Sequence, residues 1–292
     1  MLNQLTLVFF LFFSVGALAN DHRVIVAPHA PGGPSDIIAR ALIADDPRYS
    51  VLYKPGGLGV VAAHHAVTST EQLIVLTTSQ LFVSNTFDPA LTQYSTSQFT
   101  NLEVIEVPAA LVCGKHTNFK SLNNMLASPG PIKFGYAGEG SMEHQNTQIF
   151  LKKSGIKNYI LVPFAQGGTA TLVSVLGGHI DCWFANLPTL IQNSAVDRVD
   201  VIFLTHSASD SSRPSWVSIF GEPFPLRHFM TVSYKSGDSI KIHYDRLNFY
   251  KTLSARGFIQ PREGRLDETT LARIVDKNKT MVKEFFSTQK LH

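Results

Sequence analysis

Three times in this chain a short apolar run breaks on glycine and resumes at once as a helical pattern. Residues 24–27 lead through Pro31-Gly32-Gly33-Pro34 to a helix beginning at Ser35 or Asp36. Residues 132–136 lead through Gly138-Glu139-Gly140 to a helix capped by Ser141, and residues 159–164 lead through Ala165-Gln166-Gly167-Gly168 to one beginning near Thr169. A helix start leaves its first N–H groups unpaired and carries about half a positive charge, and glycine lets a ligand come close to the backbone. Such ends collect anions. In an open α/β sheet they lie at the carboxyl ends of the strands, where ligands bind. Glycine also serves in turns that merely join strand to helix, so one loop of this build says little; three on one chain favour a binding role.

The same alternation runs through most of the sequence: extended runs at 73–77, 104–113, 180–184 and 199–205 are separated by helical patterns at 121–126, 142–153 and 169–176. This predicts an α/β fold with a mainly parallel sheet. Residues 268–286 place Leu271, Ile274, Val275, Val282, Phe285 and Phe286 near one face of a long helix opened by Asp267, which should dock on a core. The stretch SASDSSRPS, 207–215, reads as a surface loop. At 292 residues, 44% hydrophobic and 16% charged, the chain has apolar surface for two medium lobes.

Residues 1–19 hold no charged side chain, an apolar run over about 5–13, and end in Ala17-Leu18-Ala19, which reads as a cleaved secretory signal; the absence of a Lys or Arg near its start leaves an uncleaved anchor as the alternative. The expected location is therefore outside the cytoplasmic membrane, in the periplasm. An oxidising compartment permits Cys113 and Cys182 to pair, and two buried thiols fit the sequence equally well.

Other functions find no support. With a net charge of +3 and Lys and Arg scattered, there is no basic stripe for nucleic acid. No Lys follows the glycines as in a phosphate loop, and no dinucleotide fingerprint is present. The segment Gly138-Glu139-Gly140-Ser141-Met142 is not a nucleophile elbow, and no third residue orients Ser141 and His144 as nucleophile and base, so no catalytic residue is assigned. The 11 histidines fall singly apart from His64-His65, and neither metal nor cofactor is expected.

Taken in order, APGGPSDIIARAL, YKPGGLGVVAAHHAV, FGYAGEGSMEH, LVPFAQGGTATLVSVLGGHIDCWFAN and the Arg-Pro of DSSRPS resemble the Bug family, TctC-like extracytoplasmic solute receptors of tripartite tricarboxylate transporters. The likeness runs from Val24 to about Pro214. It departs from the family pattern at TSTEQLIVL and at WVSIFGEPFP, and little of it remains after Phe224. It implies a type II periplasmic binding protein, a Venus flytrap of two α/β lobes with the ligand in the cleft. Two crossings between lobes follow, placing 20–107 and 232–292 in one lobe and 108–231 in the other. It also implies a monomer that carries a small carboxylate, whether a di- or tricarboxylate, an acidic amino acid or an aromatic acid, to membrane subunits. The alternatives are a secreted enzyme acting on a small carboxylate and a sensing receptor feeding a signalling kinase.

The matched loops imply ligand contacts through Pro31, Gly32, Gly33, Ser35 and Asp36, and through Ala165, Gln166, Gly167 and Gly168. Gly138, Ser141 and His144 belong to the loop between them. Asp36 either fixes its loop by capping or faces the cleft, and capping is favoured because a bare carboxylate repels an anion. Thr77, Thr78 and Ser79, just past a strand end, either supply hydroxyls to the ligand from the first lobe or form a surface turn. His144 either orients its loop or meets the ligand, and Asp181 closes the Gly-Gly-His-Ile-Asp match beneath the cleft.

Overall fold

The computed structural model describes residues 23–44, 46, 48–164, 167–206, 213–261 and 266–286. The apolar segment 1–19, Ala165, Gln166 and residues 207–212 of the polar stretch lie outside them. The chain lays down β1 (Arg23–Ala27), α1 (Pro34–Leu42), β2 (Tyr49–Tyr53), α2 (Val60–Thr68), β3 (Ile74–Thr78), α3 (Ser84–Phe87) and β4 (Phe99–Glu106). It crosses to β5 (Ala109–Gly114), α4 (Leu122–Leu126), β6 (Ile132–Tyr136), α5 (Met142–Ser154), β7 (Tyr159–Pro163), α6 (Gly168–Leu176), β8 (Cys182–Asn186), α7 (Leu187–Gln192) and β9 (Val199–Leu204). After α8 (Trp216–Phe220) it returns through β10 (Phe229–Lys235) and ends in α9 (Arg246–Ala255) and α10 (Glu268–Phe286).

Among the described residues these strands form two five-stranded sheets with one connectivity, β2-β1-β3-β10-β4 and β7-β6-β8-β5-β9. In each, the strand that follows a crossing, β10 or β5, is inserted antiparallel between two others. The alternation of sequence therefore yields mixed sheets rather than purely parallel ones. Strand β10 pairs with the first sheet from Phe229 onward, so the boundary expected between 231 and 232 falls inside a strand.

Side chains alternate across the first sheet as its pleat requires. Ile25, Leu76, Ile105 and Met230 pack under α1 and α9, while Val26, Val75, Val104 and Phe229 pack under α2 and α10. In the second sheet Leu111, Phe134, Phe184 and Phe203 face α5 and Trp216, whereas Ala110, Val112, Trp183 and Ala185 face α6 and α7. Strands β3, β5 and β8 are buried along their whole length, which is why they read as unbroken apolar runs. Cys113 and Cys182 stand opposite each other on β5 and β8 and form a disulfide.

The crossings lie side by side. The Val107 N–H donates to the His228 carbonyl at 2.9 Å, and Glu106 exchanges backbone hydrogen bonds with Ile259. Arg227 pairs with Glu106. Helix α10 touches both halves: Leu271 and Val275 join the first sheet's core, and Val282 that of the second. Between them Asn278 holds the backbone of Arg227 from both sides, accepting from its N–H at 3.3 Å and donating to its carbonyl at 2.8 Å. Among the described residues no helix is long and apolar enough to cross a membrane.

Candidate ligand-binding site

Strands β1, β2 and β3 run parallel, so the loops after Ala27, Tyr53 and Thr78 share one edge of the first sheet. Strands β6, β7 and β8 likewise bring the loops after Tyr136, Pro163 and Asn186 to one edge of the second. These edges meet. A Cβ placed on Gly140 would lie 2.6 Å from Leu58, on the turn after β2, and 2.7 Å from Phe87, at the end of α3 after β3. Leu58 is held at φ 58°, a left-handed conformation unusual for leucine that marks a constrained loop. The beginnings of α1, α5, α6 and α7 thus open on the two facing edges.

On the first edge Asp36 is a hub. Its Oδ2 accepts from the Gly32 N–H at 2.9 Å, and its Oδ1 accepts from Arg40 Nε at 2.8 Å and the Tyr53 hydroxyl at 2.5 Å. The Asp36 carboxylate is the main reason the Arg40 pKa is raised, whereas burial chiefly raises that of Tyr53. Asp36 therefore ties the loop to α1 and β2. The helix cap itself is Gly33, so Asp36 fixes the loop without the capping role expected of it. Ser35 is wholly buried and its hydroxyl has no hydrogen-bond partner among the described residues. Pro31, Gly32 and Gly33 form the turn beside it, with Gly32 at φ +84°.

Thr77 and Thr78 are the last residues of β3 and only Ser79 lies past it; all three are buried, and their hydroxyls have work inside the fold. Thr78 Oγ1 donates to the Leu58 carbonyl at 3.3 Å and accepts from the Leu81 N–H at 3.2 Å. Ser79 Oγ accepts from the Phe229 N–H at 3.4 Å, and Thr77 bonds Thr231 at 2.7 Å. Next to them Gln80 reaches His228 Nδ1 at 3.0 Å, and His228 Nε2 meets Asn146 Oδ1 at 2.7 Å. Burial pushes the His228 pKa down to about 3, so a neutral imidazole links the first edge, the returning crossing and α5.

On the second edge Ser141 caps α5 by accepting from the His144 N–H at 3.2 Å. His144 is 3% exposed; its Nδ1 accepts from the Gly140 N–H at 3.1 Å, and its ring stacks on Tyr136 with centroids 4.9 Å apart. Burial lowers its pKa against the opposing pull of Glu139, so it serves the loop as a neutral acceptor. Gly138 and Gly167 have φ of +104° and +85°, conformations that demand glycine, and Gly167 caps α6. Gly168 begins α6, and a Cβ placed on it would lie 3.2 Å from Trp183, 3.4 Å from Glu143 and 3.7 Å from Asn186.

The structure brings residues 31–36 and 78–79 to the first edge and Gly138, Ser141, His144, Gly167 and Gly168 to the second. Ala165 and Gln166 fall outside the described residues. Asp181 does not join them. It precedes β8, at the amino end of the second sheet, about 16 Å of strand away from the carboxyl edge. There its Oδ2 accepts from the Lys133 N–H at 2.8 Å and its Oδ1 lies 3.6 Å from His116 Nε2. A motif that reads continuously across a buried strand has its two ends on opposite rims. Residues overlooked in the sequence are Tyr53, Leu58, Gln80, Glu143, Asn186 and His228, of which only Asn186 carries a local signal, as a cap residue before Pro188.

No family model matches the chain. It is 24% identical over 183 residues to the protein BugT of Bordetella pertussis, a match covering 58% of this chain and little more than half, 56%, of BugT. Its fold is that of the periplasmic binding protein BugD (TM-score 0.73, 16% identity, covering 91% of this chain and 96% of BugD). MatC from Rhodopseudomonas palustris, solved with bound malate, superposes with a TM-score of 0.75 at 19% identity, covering 90% of this chain and 98% of MatC. The likeness to the Bug family, TctC-like receptors of two α/β lobes, that the glycine loops carry is thus borne out in both sequence and fold.

Proposed function

We propose that this chain is an extracytoplasmic receptor that captures a small carboxylate between its lobes and delivers it to the membrane subunits of a tripartite tricarboxylate transporter. The observation that carries this reading is the meeting of two strand edges onto which the beginnings of α1, α5, α6 and α7 open. Backbone donors there bind an acid group without a fixed cation. The malate in MatC and the likeness to BugD support it. The apolar segment at 1–19 and the disulfide support export, since disulfides persist in oxidising compartments.

In this reading the hinge is the pair of crossings at Val107 and Pro108 and at Arg227 and His228, and the acid stabilises the closed form by contacts absent when the lobes part. Thermal denaturation with di- and tricarboxylates, acidic amino acids, aromatic acids, sugars and nucleotides tests it. At a hundred times its dissociation constant the cognate acid should raise Tm by about 5 °C or more. Stabilisation by sugars or nucleotides alone would defeat the proposal.

A further inference from the structure

The beginnings of three helices on the second edge converge on one side chain. Glu143, in the first turn of α5, is 5% exposed. A Cβ on Gly168, the first residue of α6, would stand 3.4 Å from Glu143 Oε1 and 3.7 Å from the side-chain nitrogen of Asn186, the cap of α7. Ser141, the cap of α5, is its other polar neighbour. Among the described residues no Lys or Arg lies within ion-pair distance of it. The contrast with Asp36 on the facing edge is direct, because that carboxylate has Arg40.

A carboxyl taken from water without a cation is costly, and here burial pushes the Glu143 pKa up, with its own N–H, Ser141 and Asn186 only partly opposing. It also occupies the place where helix N-termini would otherwise draw the acid group of a ligand. An incoming carboxylate at that spot meets a like charge whenever Glu143 is ionised. An ammonium group there meets a partner that the protein itself does not supply. We propose that the ligand carries a cationic amino group beside its carboxylate, that Glu143 receives the amino group, and that the cleft therefore selects amino acids over simple acids. The acid end is then left to the first edge, at the start of α1 beside the unpartnered Ser35 hydroxyl.

This deepens the carboxylate reading and rests on it. Calorimetric titration of the wild type and of Glu143→Gln with matched pairs is the test: aspartate and succinate, glutamate and glutarate, phenylalanine and 3-phenylpropanoate, alanine and propanoate. At least one amino acid should bind the wild type at least about 100-fold more tightly than its deaminated partner. Glu143→Gln, checked for folding by circular dichroism, should bring that ratio below about tenfold. A deaminated acid binding the wild type as tightly as its amino partner overturns the inference and leaves the carboxylate reading standing, as does a ratio unchanged in Glu143→Gln. Binding of no acid of either kind overturns both. Should the variant fail to fold, the wild-type pairs decide.

Discussion

The two facing edges are built to one plan, strand, glycine turn and helix, and each places an acidic residue in the first turn of its leading helix. Asp36 is buried against Tyr53 and Arg40 and turned back onto the Gly32 amide. Glu143 is buried against a glycine, an amide and a hydroxyl. The same chemical group in the same local motif is thus a loop strut on one side and, on the other, a carboxyl with no Lys or Arg beside it among the described residues. What separates them is a tyrosine on β2 and an arginine one turn along α1. A helix-start acid in a glycine loop therefore says nothing of its role until its cation has been sought.

The edges also differ in what supports them, and the largest effect is expected there. The Cys113–Cys182 disulfide staples β5 to β8 in the second sheet and has no counterpart among the described residues of the first. Replacing both cysteines with alanine should cost about 4 kcal/mol, the loop-closure value for a separation of 69 residues. Hydrogen exchange should show the loss concentrated in β5, β6 and β8, and a loss spread evenly over both sheets would erase this difference between them.

Gly140→Val comes next. Its backbone sits at φ +73° and its added carbons run into Leu58 and Phe87, so about 3 kcal/mol of strain and overpacking is expected. Most of it should fall on the closed form, read as a larger radius in X-ray scattering and weaker ligand binding. Gly33→Ala on the facing edge, with ordinary φ and its nearest contact at 3.6 Å, should leave stability within about 0.5 kcal/mol.

The acidic pair gives effects of opposite sign. Asp36→Ala should destabilise by about 2 kcal/mol, because it leaves the Gly32 amide and the Tyr53 hydroxyl without their acceptor. Glu143→Gln should act the other way and stabilise the ligand-free protein at pH 7. The sign follows from the raised pKa: the folded state favours the neutral carboxyl, so the ionised form weakens the fold as pH rises past the unfolded value. Urea unfolding at pH 7 measures both, and equal signs would show that the two acids do the same job.

Much of this architecture was legible in the sequence, because alternation and glycine placement are local. The α/β class, the three loops and the docking of α10 follow from short windows of residues. The inserted antiparallel strands do not, since an antiparallel strand buried on both faces carries the same unbroken apolar run as a parallel one. The disulfide was open because a register across 69 residues leaves no trace in spacing. Helix α5 misleads most. MEHQNTQIF reads as a polar surface, yet Gln145, Asn146 and Thr147 are buried where the edges meet, and Glu143 was passed over beside Ser141 and His144. Asp181 was misplaced for the opposite reason: adjacency in sequence to a strand says nothing about which rim it occupies.

In the proposed hinge motion, the seat of α10 on both halves acts as a tie-rod. Two crossings alone would let the jaws swing widely, whereas a helix anchored at Leu271 on one jaw and at Val282 on the other limits the travel to what those seats tolerate. Its grip on Arg227 through Asn278 puts the rod in the axle itself. Side chains far from the cleft, along one face of the final helix, thereby set how far the jaws part before a ligand arrives.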